Sequence, residues 1–308
     1  MRHPAIVLAT RSVILACTLG GVASAQTPQP PAVVTAIAER QPPSGAAPAP
    51  ELALNDRWRI RVTPRVWFVA PAGDLTLAGG PKFKLGDVKA DSTTLAPFLD
   101  VTVREVPAEG VKVGVPNLIF AASGAITSSD SSNTLAGGGQ FGSLAVAPGG
   151  QIDSQVQWST FQLTGGQVWR LADLTPAGGM KGTTVVDLAG MVGARVQYQR
   201  FEFASGGVTE REKLTWLEGI VQARLDVRLS SEFAAELNAS LAWAPDRFGG
   251  EVDAAFSYTP WRGARGQSLG VQIGYRLLAT DYSVDRNGSK TEFNGSLAGL
   301  YAGVSLKF

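Results

Sequence analysis

The chain repeats one pattern, apolar residues at every second position, over segments too long for an ordinary soluble strand. Val186, Leu188, Val192, Ala194, Val196 and Tyr198 share one phase, with Asp187, Arg195, Gln197 and Gln199 on the other. Leu217, Val221, Ala223, Leu225, Val227 and Leu229 oppose Glu218, Gln222, Arg224, Asp226 and Arg228. The pattern recurs from Phe233 to Trp243 against Glu236, Asn238 and Ser240, from Val252 to Tyr258, and from Leu269 to Leu277 against Gln272 and Arg276. Successive side chains of a strand point to opposite faces, so each segment has one apolar and one polar or charged face. Stacked soluble sheets also alternate, with the apolar face inward. Length decides between the two. Soluble strands average ~5–6 residues, whereas strands that cross a bilayer at a tilt need ~9–11. The segments at 183–203, 213–229 and 293–308 suit the second. No run of the mature chain approaches the ~18–20 apolar residues of a membrane helix. The expected fold is all-β, a transmembrane antiparallel up-and-down β-barrel with its apolar side out.

The first half carries the same signal. Trp58, Ile60, Val62, Val66 and Phe68 alternate with Arg59, Arg61, Thr63 and Arg65, and Leu99, Val101 and Val103 with Asp100, Thr102 and Arg104. Val111, Val113 and Val115 continue after a turn at 105–110. Val156 and Trp158 lie on one phase and Phe161 and Leu163 on the other, which predicts a bulge or break there. If the N-terminal side is periplasmic, odd links are the long outer loops and even links the short inner turns. The odd links fall at 71–94, 123–153, 204–212, 245–251 and 283–292, and the even ones at 105–110, 171–182, 230–232 and 262–268. About ten strands result. Eight follow if 99–104 or 154–163 does not cross, and twelve if 75–90 forms its own hairpin at Gly79-Gly80.

At the end of the chain Leu300, Ala302, Val304 and Leu306 alternate with Tyr301, Gly303, Ser305 and Lys307, and the last residue is Phe308. This stretch resembles the closing strand of Gram-negative outer-membrane β-barrels, in which a terminal Phe serves as the assembly signal. The resemblance implies an outer-membrane location, contact with outer-membrane lipids and recognition by the envelope assembly machinery. It also implies pairing of the last strand with the first, 57–70. Trp58 with Val62-Thr63-Pro64-Arg65-Val66-Trp67 is similar to the opening strand of uncharacterised small outer-membrane barrels, which implies a barrel and no known activity. Aromatics near strand ends, Trp58, Trp67, Trp243, Tyr258 and Phe308, fit interfacial girdles.

The opening residues predict export. Arg2 and Arg11 flank an apolar stretch, and Ala23-Ser24-Ala25 is a small-residue cleavage pattern, so 1–25 reads as a signal peptide. Ile14-Leu15-Ala16-Cys17 is a poor lipoprotein box. Residues 26–56 are rich in Pro and Ala and read as a disordered periplasmic leader before the barrel at 57–308. Removing 1–25 takes away His3, Cys17 and two arginines, leaving 25 basic against 26 acidic residues. Charge near neutrality argues against a nucleic-acid partner.

A mature chain without histidine builds no Ser–His pair and no His-bearing dyad, and it lacks the nitrogen and sulfur ligands of a zinc site. No acidic pair stands out for acid–base work. Gly137-Gly138-Gly139 lacks the downstream Gly-Lys-Ser/Thr of a phosphate loop and sits in a Ser/Gly-rich stretch, 127–150, read as outer loop. The expectation is a non-enzymatic protein without metal or cofactor.

The lumen-facing candidates are Arg59, Arg61, Arg65, Asp187, Arg195, Glu218, Arg224, Asp226, Arg228, Glu236 and Arg276. A ten-strand barrel is narrow enough for such side chains to fill it as a salt-bridged plug. The other reading is a narrow polar pore with a cationic bias from Arg59, Arg61 and Arg65, favouring small anionic solutes. The sequence therefore leaves two functions: a small pore or small-solute channel, or a closed structural barrel whose outer loops 71–94 and 123–153 contact partners.

Overall fold

Thirteen strands order the described chain: β1 (Trp58–Thr76), β2 (Phe83–Lys84), β3 (Thr94–Glu105), β4 (Pro116–Leu135), β5 (Gly139–Phe141), β6 (Leu144–Val146), β7 (Gly150–Leu174), β8 (Thr184–Ser205), β9 (Val208–Arg228), β10 (Phe233–Ala244), β11 (Arg247–Arg262), β12 (Ser268–Arg286) and β13 (Ser289–Lys307). The structure, a computed structural model, describes residues 57–106, 113–174, 184–263, 267–286 and 288–308. The expected signal peptide and leader lie outside the described residues.

Ten of these strands form the wall. Each pairs antiparallel with its neighbour in the order β1, β3, β4, β7, β8, β9, β10, β11, β12, β13, and β13 returns to β1. The closing ladder runs from Arg61 opposite Lys307 to Thr76 opposite Glu292. Below it the backbones of Ile60 and Phe308 exchange two hydrogen bonds, Phe308 N–H to Ile60 O at 2.9 Å and Ile60 N–H to Phe308 O at 3.2 Å. A closed ring leaves no unpaired edge, which a bilayer requires of any sheet that crosses it.

The two faces of the wall differ as the alternation predicts. Leu217, Leu300, Val192 and Ile273 point outward and are 69%, 65%, 63% and 63% exposed. Large side chains so placed all round a molecule exceed the few hundred Å² of contiguous apolar surface on a soluble monomer and suit hydrocarbon. Above this band the outward residues turn polar at one height, Gln157 opposite Arg200 and Arg200 opposite Lys213. The strands continue past it, so the bilayer covers only their lower part.

That extension corrects several expectations. The link read as a loop at 123–153 is largely strand, with β4 running to Leu135, and the one at 71–94 begins as strand, with β1 running to Thr76. The Ser/Gly-rich run from Thr127 to Leu135 pairs with Gly150–Trp158 of β7 throughout. Gly79 turns the chain so that Leu75 faces Phe83 of β2, a short flap and not an eleventh crossing. β4 begins at Pro116, leaving Val113 and Val115 in the link.

The bulge predicted near residue 160 is absent, and β7 keeps one phase from Asp153 to Arg170. Val156 and Trp158 point inward with Thr160, Gln162 and Thr164, while Phe161 and Leu163 point out. The apparent break arose because the upper lumen is itself apolar. The bulge sits lower, between Arg170 and Ala172. Trp67 is likewise no girdle residue, since it lies inside the lumen at 1% exposure.

Candidate functional site

Three layers fill the lumen. At the end away from Phe308, a hydrophobic core includes Trp67, Leu75, Trp158, Phe201, Phe203 and Phe293. The links fold down into this mouth. Phe83 of β2 meets Phe141 of β5 edge-on at 4.7 Å and Phe203 of the wall at 5.4 Å. Leu85 and Val88, in the 3₁₀ turn Leu85–Val88, are fully buried. That turn is strapped to the wall: Ser131 and Ser154 hydroxyls donate to Val88 O at 3.3 and 3.2 Å, and Asn133 Nδ2 donates to Asp87 O at 3.1 Å. The Phe83–Ala90 segment thus acts as a cork, held by apolar burial and by side chains of β4 and β7.

Below it lies a ring of ion pairs at mid-barrel. Arg195 Nε donates to Glu218 Oε2 at 2.7 Å, with Glu251 3.5 Å from the same guanidinium. Arg247 also pairs with Glu218 and donates to Gln197. Arg276 lies 3.0 Å from Glu251, and Arg65 3.1 Å from Asp253. The Tyr301 hydroxyl donates to Asp253 at 2.5 Å. The guanidinium groups also stack on rings: Arg247 over Trp216 at 3.9 Å and Arg276 over Phe98 at 4.2 Å. Charges in so dry a place are tolerable only because each meets an opposite charge or an aromatic face. Gly274 makes room for one of them. It faces Tyr301 in the ladder, and a Cβ there would stand 2.4 Å from the Tyr301 ring.

The third layer, toward Phe308, holds a cavity of about 550 Å³ that opens at that end. Its floor is Arg61, Glu236 and Arg224, and neither Arg65 nor Arg195 lines it. Arg61 grips Glu236 with both terminal nitrogens, at 2.6 and 3.2 Å. Arg224 bridges Glu236 at 2.8 Å and Asp226 at 3.0 Å. On the side wall Asp187 is held by Arg104 at 2.9 Å and Arg170 at 3.3 Å. Two bulges aim residues here. Arg170 sits beside the irregularity of β7, and the one in β11 between Tyr258 and Trp261 shifts the phase. Trp261 then faces outward and Arg262 enters the cavity lining.

The expected lumen candidates divide between the lower two layers. Arg65, Arg195, Glu218 and Arg276 belong to the mid-barrel ring. Arg59, Arg61, Asp187, Arg224, Asp226, Arg228 and Glu236 line the cavity. Sequence reasoning missed Arg247, Glu251, Asp253 and Tyr301 in the ring, and Arg104, Arg170, Arg262 and Lys307 in the cavity. Parity on β11 was available to place Glu251 and Asp253, because Val252 and Phe256 mark the outward phase. Of the expected assembly residues, Phe308, Val304 and Leu300 face outward, and Ala302 is exposed between them.

No family model and no curated relative matches the chain. The solved structures it resembles are outer-membrane β-barrel proteins of Gram-negative bacteria. They include the transport unit of the autotransporter AIDA-I from Escherichia coli, at 9% identity and a TM-score of 0.35 over 84% of this chain and 92% of that one. The outer membrane protease OmpT of Escherichia coli follows at 8% and 0.34, covering 81% and 96%. Ail, the attachment invasion locus protein of Yersinia pestis, stands at 11% and 0.30, covering 82% and 99%. At these values none of them carries an argument about the activity of this chain. The barrel assignment rests on the chain's own closed ladder.

Proposed function

We propose that the chain is a non-enzymatic outer-membrane barrel with a closed lumen, exported with loss of residues 1–25, and acting at its two ends instead of through its middle. The observation that carries this is the stacking of two sealed layers, the apolar cork over the ion-paired ring, between the far mouth and the cavity. Of the two functions open from the sequence, this favours the closed structural or surface-interaction barrel over the small-solute pore. The Phe308 end faces the periplasm in this reading and the corked end faces outward, its compact flap replacing the long loops as the surface offered to partners.

The non-enzymatic part rests on chemistry. Each acid of the mid-barrel ring is bound to arginine, which leaves no free carboxylate to act as a base there. The outward band supports contact with outer-membrane lipids, and the exposed seam residues Leu300, Val304 and Phe308 support recognition by the assembly machinery. Liposome swelling tests the reading: vesicles carrying the folded barrel should swell in arabinose no faster than protein-free vesicles. Swelling at porin-like rates would return the pore.

A further inference from the structure

The cavity at the Phe308 end holds more positive charge than its acids neutralise. Eight basic side chains line it against four acidic ones. The acids are committed: Glu105 to Arg57, Asp187 to Arg104 and Arg170, Asp226 to Arg224, and Glu236 to Arg61 and Arg224. Among the described residues Arg59, Arg228, Arg262 and Lys307 have no ion-pair partner, although all four line the space.

These four converge from different elements: Arg59 from β1, Arg228 from the end of β9, Arg262 from behind the β11 bulge and Lys307 from the end of β13. Arg228 stands within electrostatic reach of Asp187 and of Arg104, Arg170 and Arg262, and Lys307 of Arg61 and Arg228 as well as Glu236 and Asp226, acids already paired with other arginines. Arg61 adds a buried Nε without a protein acceptor. Unpaired like charges gathered around one space set up a positive potential that draws in anions, most strongly at low ionic strength. Arg59 is half-buried, and Arg228, Arg262 and Lys307 stand exposed around the open mouth of this space of about 550 Å³, where the β11 bulge turns Arg262 toward it.

We propose that this cavity binds a small solute carrying two or more anionic groups, phosphate or carboxylate, through Arg59, Arg228, Arg262 and Lys307. The planar fork of arginine matches both oxyanions, and the volume lies in the ~300–1,000 Å³ range of small-molecule sites. Several unpaired cations favour a multivalent anion over a single charge. The floor of Arg61, Glu236 and Arg224 ends the site, so the ligand enters and leaves by the same mouth. The site does not depend on whether the lumen above it conducts.

Calorimetric titration of the folded full-length protein in a neutral detergent tests this, with inorganic pyrophosphate and citrate as probes and glucose as the uncharged control. Saturable binding of one anion per barrel is expected at low ionic strength, weakening about tenfold as salt rises into the screening range. The double variant Arg228→Gln/Arg262→Gln should lose about tenfold or more in affinity, while Arg211→Gln on the outer surface changes nothing. Heat-modifiable gel mobility confirms folding, and without ligand the double variant should need the same or a higher temperature to unfold, because repulsion has been relieved. Pyrophosphate alone would assign a phosphate ligand and citrate alone a carboxylate one. Saturation by neither, or equal affinity in wild type and double variant, overturns the proposal. Failure here leaves the closed lumen standing, and a conducting barrel that still bound anions would overturn only the closed reading.

Discussion

Arg195 and Glu218 are ladder partners on neighbouring strands and meet at 2.7 Å in the middle of the barrel, both essentially cut off from water. Glu218 also carries Arg247, so one carboxylate holds two buried arginines. Removing one partner of a buried pair leaves charge without compensation, at a cost of about 3–5 kcal/mol. Glu218→Gln should therefore lower the urea midpoint of the vesicle-inserted barrel by that order, more than any single change at an exposed ion pair. A near-unchanged midpoint would show that the ring is hydrated and not sealed.

The packing of Tyr301 against Gly274 gives a second test. A Cβ at residue 274 would stand 2.4 Å from the Tyr301 ring and 2.5 Å from Ala254 O, so neither the ring nor the wall can yield freely. Gly274→Ala should destabilise by about 1–3 kcal/mol, as overpacking does, and should displace the Tyr301 hydroxyl from Asp253. Unfolding midpoints of Gly274→Ala and Tyr301→Phe compare the two effects, and Gly274→Ala should be the larger. Equal stability of Gly274→Ala and wild type would contradict this packing.

The fold was legible in the alternation, and the lumen only in part. Outward residues such as Val192, Leu217 and Ile273 obey one rule, contact with hydrocarbon, so their period of two survives any detail of the interior. Inward residues obey local rules. Apolar side chains at Val156 and Trp158 belong to the cork, and against Phe161 and Leu163 they read as a slip of phase. The cork was hidden because Phe83, Leu85 and Val88 lie in a link, where periodicity says nothing about inward folding. The partners of the ring were hidden for another reason. Arg65 and Asp253 are separated by 188 positions and meet only because the barrel closes.

The end away from Phe308 carries a titratable cluster above the apolar band. Glu202 accepts from Arg211 Nε at 2.8 Å and from Arg200, and these bonds, Arg211 first, bring its carboxyl from 4.5 down to about 2. A carboxyl depressed on folding stabilises above its unfolded pKa, and that contribution fades as pH falls from about 4.5 to about 2. Wild type should lose stability over that window, and Glu202→Gln should show a flatter profile there. Parallel profiles of unfolding midpoint against pH would remove Glu202 from the account.

Closure of the ring depends on its last strand. Deleting Val304 to Phe308 removes the ladder pairs Val62–Leu306 and Arg61–Lys307 and the two backbone bonds between Ile60 and Phe308. The truncated chain should lose the heat-modifiable compact form in gels and remain protease-sensitive, because an open edge in lipid leaves backbone groups unpaired. Full retention of the compact form would mean that the seam is not where the ring closes.

In the closed reading the lumen is sealed twice, by the cork from Phe83 to Ala90 and by the ring around Glu218 and Glu251. Planar-bilayer recording of the purified folded barrel tests it most directly. No conductance steps above background are expected, in wild type and equally in a variant lacking residues 79–90, because the ring remains beneath the lost cork. Stable, stepwise single-channel currents from the wild-type barrel would contradict it.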